Sequence, residues 1–224
     1  MHDEIARCAR DVATAAEELL GAMRASEGTF SILMELVEER VAASLAGRRA
    51  APAACGPGCA ACCTVNVGTL AVEGAAIAAF LRARLGAEGA RAAARELLGF
   101  HDRVRWLDDG ERIRERLACP FVDGAGACRI HPVRPLACRS ISSLDPDECR
   151  RAARERGEGD EPGLVRMDLL QRALYEEAIG ALADALRGRG LDGRLRDVSG
   201  MAGAFLAEPD LARAWGEGSP VPLE

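Results

Sequence analysis

The sequence predicts a mainly α protein: a helical bundle that carries a Cys-rich metal-binding region on its loops. Three observations lead there. Ala fills about a fifth of the 224 residues, and every one of the 29 basic side chains is Arg; both residue types are strong helix formers. Aromatics amount to five Phe, two Trp and one Tyr, and runs of strand-favouring residues are scarce. Eight of the nine Cys fall between residues 55 and 149, among Gly, Pro and Asp rather than on apolar stripes. The length suits a single domain over 1–224. Its expected parts are an N-terminal helical hairpin over 1–47, a Cys-rich metal-binding core over 55–149 and C-terminal helices over 150–224.

In chain order, residues 3–24 place Ile5, Cys8, Val12, Ala16, Leu19 and Met23 at the spacing of an amphipathic helix. Cys8 belongs to that stripe and reads as core packing, a small hydrophobe. Residues 28–46 repeat the pattern with Phe30, Leu33, Met34, Val37, Val41 and Leu45, stopping at Gly47. Arg48 to Gly58, with Pro52 and Pro57, is a loop that delivers the first Cys cluster. Thr64 to Val67 alternates like a short strand. Thr69 then caps a helix from Leu70 to Leu85 that Gly86 closes. Helices over Ala87–Leu98 and Arg103–Leu117 follow, parted by Gly99-Phe100. Residues 119–149 hold Pro120, Pro132 and Pro135 and form an ordered loop. Helices over 146–157, 165–187 and 201–215 and a Pro-containing tail complete the chain. There is no repeat of solenoid length, and no strand–helix alternation that would support a Rossmann fold or a barrel.

Charge and composition exclude several functions. A formal net charge of −6 argues against general nucleic-acid binding. Arg150, Arg151, Arg154 and Arg156 cluster, but interleaved acids make them a solvated helix face. No stretch approaches the ~20 apolar residues of a membrane span. The start, Met1-His2-Asp3-Glu4, lacks the basic-then-apolar pattern of a secretory signal, so the cytoplasm is the expected location. Absence of Lys removes phosphate-loop, Schiff-base and protein-kinase chemistry. No hydrolase constellation is readable, and the zinc deaminase pattern is missing.

The thiols remain. Cys55, Cys59, Cys62 and Cys63 form Cys-x3-Cys-x2-Cys-Cys, and Cys119, Cys128, Cys138 and Cys149 follow. In a reducing cytoplasm structural disulfides rarely persist, so four thiols within nine residues point to metal. Soft thiolates select zinc or iron–sulfur clusters. Eight of them can make two closed four-cysteine zinc sites, one four-cysteine cluster with ligands to spare, or a polynuclear site with bridging sulfurs. The vicinal Cys62-Cys63 pair tilts the choice away from one mononuclear zinc, because adjacent side chains are expected to diverge toward two metals or two cluster edges. It is also a candidate redox-active pair. A thiolate-held centre is negative, and Arg129, Arg134 and Arg139 stand next to ligands as candidate hydrogen-bond donors to its sulfurs; their alternative partners are carboxylates such as Asp123 or Asp145. His131 is a further candidate ligand or donor, with an ordinary loop His as the alternative. His101 reads as structural, and His2 as disordered.

Cys55-Gly-Pro-Gly-Cys59-Ala-Ala-Cys62-Cys63, followed by Val65, Val67 and Glu73, resembles the opening of the bacterial YkgJ-like cysteine-cluster family, described as a zinc- or iron-chelating domain. The second half is similar too: Cys119-Pro120-Phe121, Cys128-Arg129-Ile130-His131-Pro132, Arg134-Pro135-Leu136-Ala137-Cys138-Arg139, and Cys149 after Asp145. The first Cys gap is one residue longer than the family's, and His131 stands where Tyr is frequent. The resemblance covers residues 55–149. It implies metal binding, and a related branch, the flagellin lysine methylases, is described as carrying an iron–sulfur cluster in a similar domain. That makes a [4Fe–4S] cluster the expected cofactor, with zinc as the alternative. An enzyme of this kind would be an iron–sulfur oxidoreductase or an S-adenosylmethionine-linked transferase. The chain has no glycine-rich strand–turn–helix for that cofactor, so the methylase activity does not carry over. Cys55-x3-Cys59-x2-Cys62 also matches the spacing of radical S-adenosylmethionine enzymes, but Ala61 replaces their aromatic and the sequence after it is helical. Three functions compete: an iron–sulfur protein, redox or catalytic; a structural zinc module whose helices bind a protein partner; and a metal chelator or trafficking protein.

Overall fold

The computed structural model describes residues 2–22, 27–46, 53–56, 58–158 and 164–223. Among them the chain is mainly α, with one two-stranded sheet. Helices α1 (His2–Ala22) and α2 (Glu27–Leu45) form where the apolar stripes require. Cys8, Val12 and Ala16 of α1, and Phe30, Leu33, Val37 and Val41 of α2, are buried. His2 lies in the first turn of α1 instead of being disordered. Residues 47–52 and 57, most of the expected loop, lie outside the described residues.

Helix α3 (Ala71–Val104) corrects three expectations. Its N-cap is Leu70 rather than Thr69; Leu70 has no side-chain acceptor to offer, and Glu73 Oε2 instead accepts from the cap residue's own N–H at 2.8 Å. Gly86 does leave the helical region, at φ 66° and ψ −178°, a left-handed conformation open to Gly. The chain nevertheless resumes helix at once, so Gly86 kinks α3 without ending it. Gly99-Phe100 does not interrupt it either: Leu97, His101 and Val104 are all buried, and that packing outweighs the ~1 kcal/mol helix penalty of one Gly.

The expected helix over 103–117 breaks at 105–108 and restarts as α4 (Asp109–Arg114). Asp108 caps it by accepting from Glu111 N at 2.7 Å, while Glu111 Oε2 accepts from Asp108 N at 2.8 Å, a reciprocal capping box. Thr64 to Val67 is turn and loop, not strand. The sheet lies just beyond it, β1 (Gly68–Thr69) antiparallel to β2 (Arg196–Asp197). The 119–149 loop contains a 3-10 turn at His131–Val133 and a short helix, α5 (Leu136–Ser140).

Helix α6 spans Pro146–Glu158 as expected. Helix α7 (Leu169–Gly188) starts later than 165 because Asp168 caps it. The last expected helix is two, α8 (Val198–Ala207) and α9 (Leu211–Gly216), separated at Pro209. In the core α3 lies along α8, α1 packs on α2 and α7, and α2 meets α3 and α7. Trp215 of α9 is fully buried, edge-on to Phe30 with centroids 5.0 Å apart. His101 is structural: its Nδ1 lies 3.2 Å from Asp197 Oδ2, and Asp197 caps α8 through Ser199 N and Gly200 N at 3.0 Å each.

Candidate metal centre

The first thiol segment is a run of tight turns. Cys59 N donates to Gly56 O, Cys63 N to Ala60 O and Val65 N to Cys62 O. Its far end is pinned to α4 and to the loop before it: Asn66 N donates to Asp109 Oδ1 at 2.7 Å and Asn66 Nδ2 to Leu107 O at 2.9 Å. Arg112 is 2% exposed. It donates to Val65 O at 2.8 Å, Asn66 Oδ1 at 3.1 Å and Leu117 O at 3.3 Å, and lies 5.4 Å over the Phe100 ring. One guanidinium therefore fixes the end of the first Cys segment and the start of the second.

The second segment begins with Cys119, whose N donates to Cys63 O at 2.6 Å. A tight turn at 123–127 follows, with Asp123 Oδ1 accepting from Ala125 N and Ala127 N at 2.9 Å each. Gly126 has φ +78°, and a Cβ there would stand 2.8 Å from Gly58 O, so the turn closes against the first segment only with Gly. The turn returns the chain so that Cys128 bridges Val122 and Arg129 N donates to Phe121 O, while Phe121 and Ile130 bury beneath. Cys138 rides on α5. That helix is anchored at its start by Leu136 N donating to Glu73 Oε1 at 2.8 Å, and at its end by Gln171 Nε2 donating to Arg139 O at 2.8 Å. Burial pushes the Glu73 carboxyl up to about 7.

Ser143 gathers the remaining thiols. Its N donates to Cys55 Sγ at 3.2 Å, its O accepts from Ala54 N at 2.7 Å, and it hydrogen-bonds the Cys149 thiol. Cys149 follows Asp145, whose Oδ1 accepts from Asp147 N at 2.8 Å and so caps α6.

All eight loop thiols are free, and Cys8 is buried elsewhere, in the α1 core. Interaction between the neighbouring Cys62 and Cys63 thiols pushes Cys62 above the usual thiol range and holds Cys63 below it. Burial pushes Cys119 up to about 11 and Cys138 up to about 12. Among the described residues no three His, Cys, Asp or Glu side chains are already drawn in around a single ion. The donor set nevertheless fits a soft metal. It is all sulfur, neighbouring thiols act on one another's charge, and burial disfavours thiolates that have no cation to balance them.

Of the three candidate Arg, Arg134 has a charge that favours the thiolates of Cys62 and Cys138. Arg139 is engaged by Glu38 at 3.0 Å, Arg134 O at 3.1 Å and Pro132 O at 3.1 Å. Arg129 donates to Pro120 O and lies 3.8 Å from Glu96. Neither pins Asp123 or Asp145. His131 is exposed at the start of the 3-10 turn. Sequence reasoning missed Arg112 and Ser143. The spacing of Arg112 from Leu117 carried a faint signal, that of a cation just ahead of Cys119; Ser143 carried none. A cleft of about 470 Å³, lined by Leu81, Arg84, Leu97, Phe121 and Arg129 among others, opens beside Cys128.

Helices supporting a loop-borne cluster of thiols define a polythiol metal-binding protein. Residues 54–156 match the family CxxCxxCC, described as "Putative zinc- or iron-chelating domain". The match spans all eight loop Cys, from Cys55 to Cys149. No curated protein and no solved structure matches the chain. Among the described residues no helix is long and apolar enough to cross a membrane.

Proposed function

We propose that the chain is a metal-binding protein whose eight loop Cys hold an iron–sulfur centre, of the [4Fe–4S] type, and use it in redox or catalytic chemistry in the cytoplasm. The observation that carries this reading is the gathering of eight free thiols on adjoining loops, joined where Cys119 N donates to Cys63 O at 2.6 Å and Ser143 N to Cys55 Sγ at 3.2 Å. Eight sulfur ligands suit a centre with several metals better than one tetrahedral ion. The cleft beside Cys128 supports a redox or catalytic role, since it lets a small molecule approach the thiol region. Such a cluster, when bound, supplies one-electron transfer or an open iron. Arg134 supplies positive charge beside Cys62 and Cys138, and Arg129 and Arg139 extend it at the rim.

Purification without oxygen tests the reading. Brown protein with broad visible absorption and stoichiometric iron and sulfide is expected. Colourless protein holding tightly bound zinc and no iron would refute it in favour of the second reading, structural four-cysteine zinc sites for a protein partner. One observation favours that alternative: Ser143 N donates to Cys55 Sγ and Ser143 lies beside Cys149, which brings these two thiols to one residue.

A further inference from the structure

The cleft beside Cys128 has two walls of different origin. One is α3 on both sides of its kink at Gly86; the other is the thiol loop, which contributes Phe121 and Arg129. Its volume, about 470 Å³, falls within the ~300–1,000 Å³ of small-molecule sites. Much of the lining is apolar. Leu81, Leu97 and Phe121 are buried there, whereas Leu85, also on the lining, is 45% exposed. An open Leu among buried apolar neighbours is surface that a bound molecule can cover.

Two guanidinium and two carboxylate groups share the cleft, but they are not equally committed. Asp123 Oδ1 is spent on Ala125 N and Ala127 N, at 2.9 Å each. Arg129 donates to Pro120 O and has Glu96 3.8 Å away, with both of these side chains more than half exposed. Arg84 forms no ion pair among the described residues; its guanidinium lies 5.2 Å over the Phe80 ring. One cation is therefore left over on the rim of a largely apolar cleft.

We propose that this cleft binds a small organic acid, its carboxylate on Arg84 with Arg129 at hand and its apolar body against Leu81, Leu85, Leu97 and Phe121. A guanidinium takes a carboxylate through two parallel N–H···O bonds. A single negative charge matches the one uncommitted guanidinium, whereas a dianionic phosphate head would carry excess charge toward Glu96 and Asp123. A molecule seated there lies against Cys128, which makes such acids the substrate class of the metal centre. That role, though not the binding itself, rests on the reading of Cys128 as a metal ligand.

Isothermal titration calorimetry of the full-length, metal-loaded protein with 4-phenylbutyrate tests the assignment. The cationic counterpart is 4-phenylbutylamine, and acetate is the head without a body. The acid is expected to bind at about one molecule per chain, and the other two at least about tenfold more weakly. Arg84→Gln should weaken phenylbutyrate by about tenfold or more, and Leu85→Ser should weaken it by a smaller factor. Arg103→Gln, on α3 but outside the cleft, should leave it unchanged. Arg84 and Leu85 are exposed, so both variants are expected to keep the far-UV circular dichroism and metal content of wild type. Equal affinity for acid and amine, or undiminished binding by Arg84→Gln, would overturn the proposal. So would metal-loaded protein that binds no acid, with the metal reading intact. A chain that holds neither zinc nor iron yet binds the acid would keep the cleft's ligand and overturn its role as substrate.

Discussion

Glu73 offers a test of how the helical core and the thiol loops are joined. It is 2% exposed, and its two oxygens accept from Leu70 N and Leu136 N, each at 2.8 Å. One carboxyl thus caps α3 and holds the first turn of α5, the helix that bears Cys138. Glu73→Gln keeps one acceptor and turns a donor toward the other N–H, leaving a buried N–H without a partner at a cost of about 1–3 kcal/mol. The pH dependence is more diagnostic. Burial raises Glu73 from 4.5 to about 7, so between those values the folded state holds a proton that the unfolded state has released. The stabilisation from that proton is complete below about 4.5 and is lost as pH rises through about 7. Its full extent is about 3 kcal/mol, and about 1 kcal/mol of it disappears between pH 6 and pH 8. Gln has no such proton. Urea unfolding of the metal-loaded wild-type and Gln proteins, followed by far-UV circular dichroism at pH 6, 7 and 8, isolates Glu73, because thiol titration is common to both. Wild type is expected to lose about 1 kcal/mol relative to the variant over that range. A difference that stays constant with pH would refute the argument.

Cys59→Ser and Cys138→Ser are expected to lower metal content by elemental analysis, whereas Cys8→Ser leaves it unchanged because Cys8 is buried in the α1 core. Equal metal loss from Cys8→Ser would show that the nine Cys are wrongly divided. Arg112→Met orphans three acceptors, Val65 O, Asn66 Oδ1 and Leu117 O. It should cost about 2–4 kcal/mol in urea unfolding and weaken zinc in a competition titration. Asp108→Ala removes the capping box of α4 and should cost about 1 kcal/mol, read as faster amide exchange in α4 with metal content retained.

The long helices were legible because burial repeats at helical spacing: α1 and α2 match their stripes to within two residues. The thiol region was legible because eight Cys off any apolar stripe have few other uses. What failed was decided by tertiary contact. Gly99 weakens a helix locally, yet α3 runs on because Leu97, His101 and Val104 find partners, with α8 lying alongside. The strands are two residues each and far apart in sequence, as Gly68 pairs with Asp197; no local alternation signals them. Arg112 lies among other charged residues in a six-residue helix, so its burial depends on the Val65 and Leu117 carbonyls that the fold brings to it.

The two halves of the structure differ in what holds them, and metal removal should separate them. Against the buried apolar side chains of α1, α2, α3, α7 and α8, from Val12 and Leu33 to Leu182 and Phe205, two loop thiols pack, Cys119 and Cys128, so most of that packing does not depend on metal. The loops at 53–67 and 117–149 have the opposite character. Their buried apolar anchors are few, chiefly Phe121, Ile130 and Leu136, and they bring eight thiols together whose ionised forms repel. Metal must supply the closure there, because ligand binding to the folded arrangement alone adds directly to its stability. Chelation at neutral pH should therefore open the loops first. Limited proteolysis is expected to produce new cuts within 117–149 while the far-UV helical signal falls only slightly, and returning zinc should protect those bonds again. Cooperative loss of the whole helical signal on chelation would refute this division, because it would mean that the helices fold only around the metal.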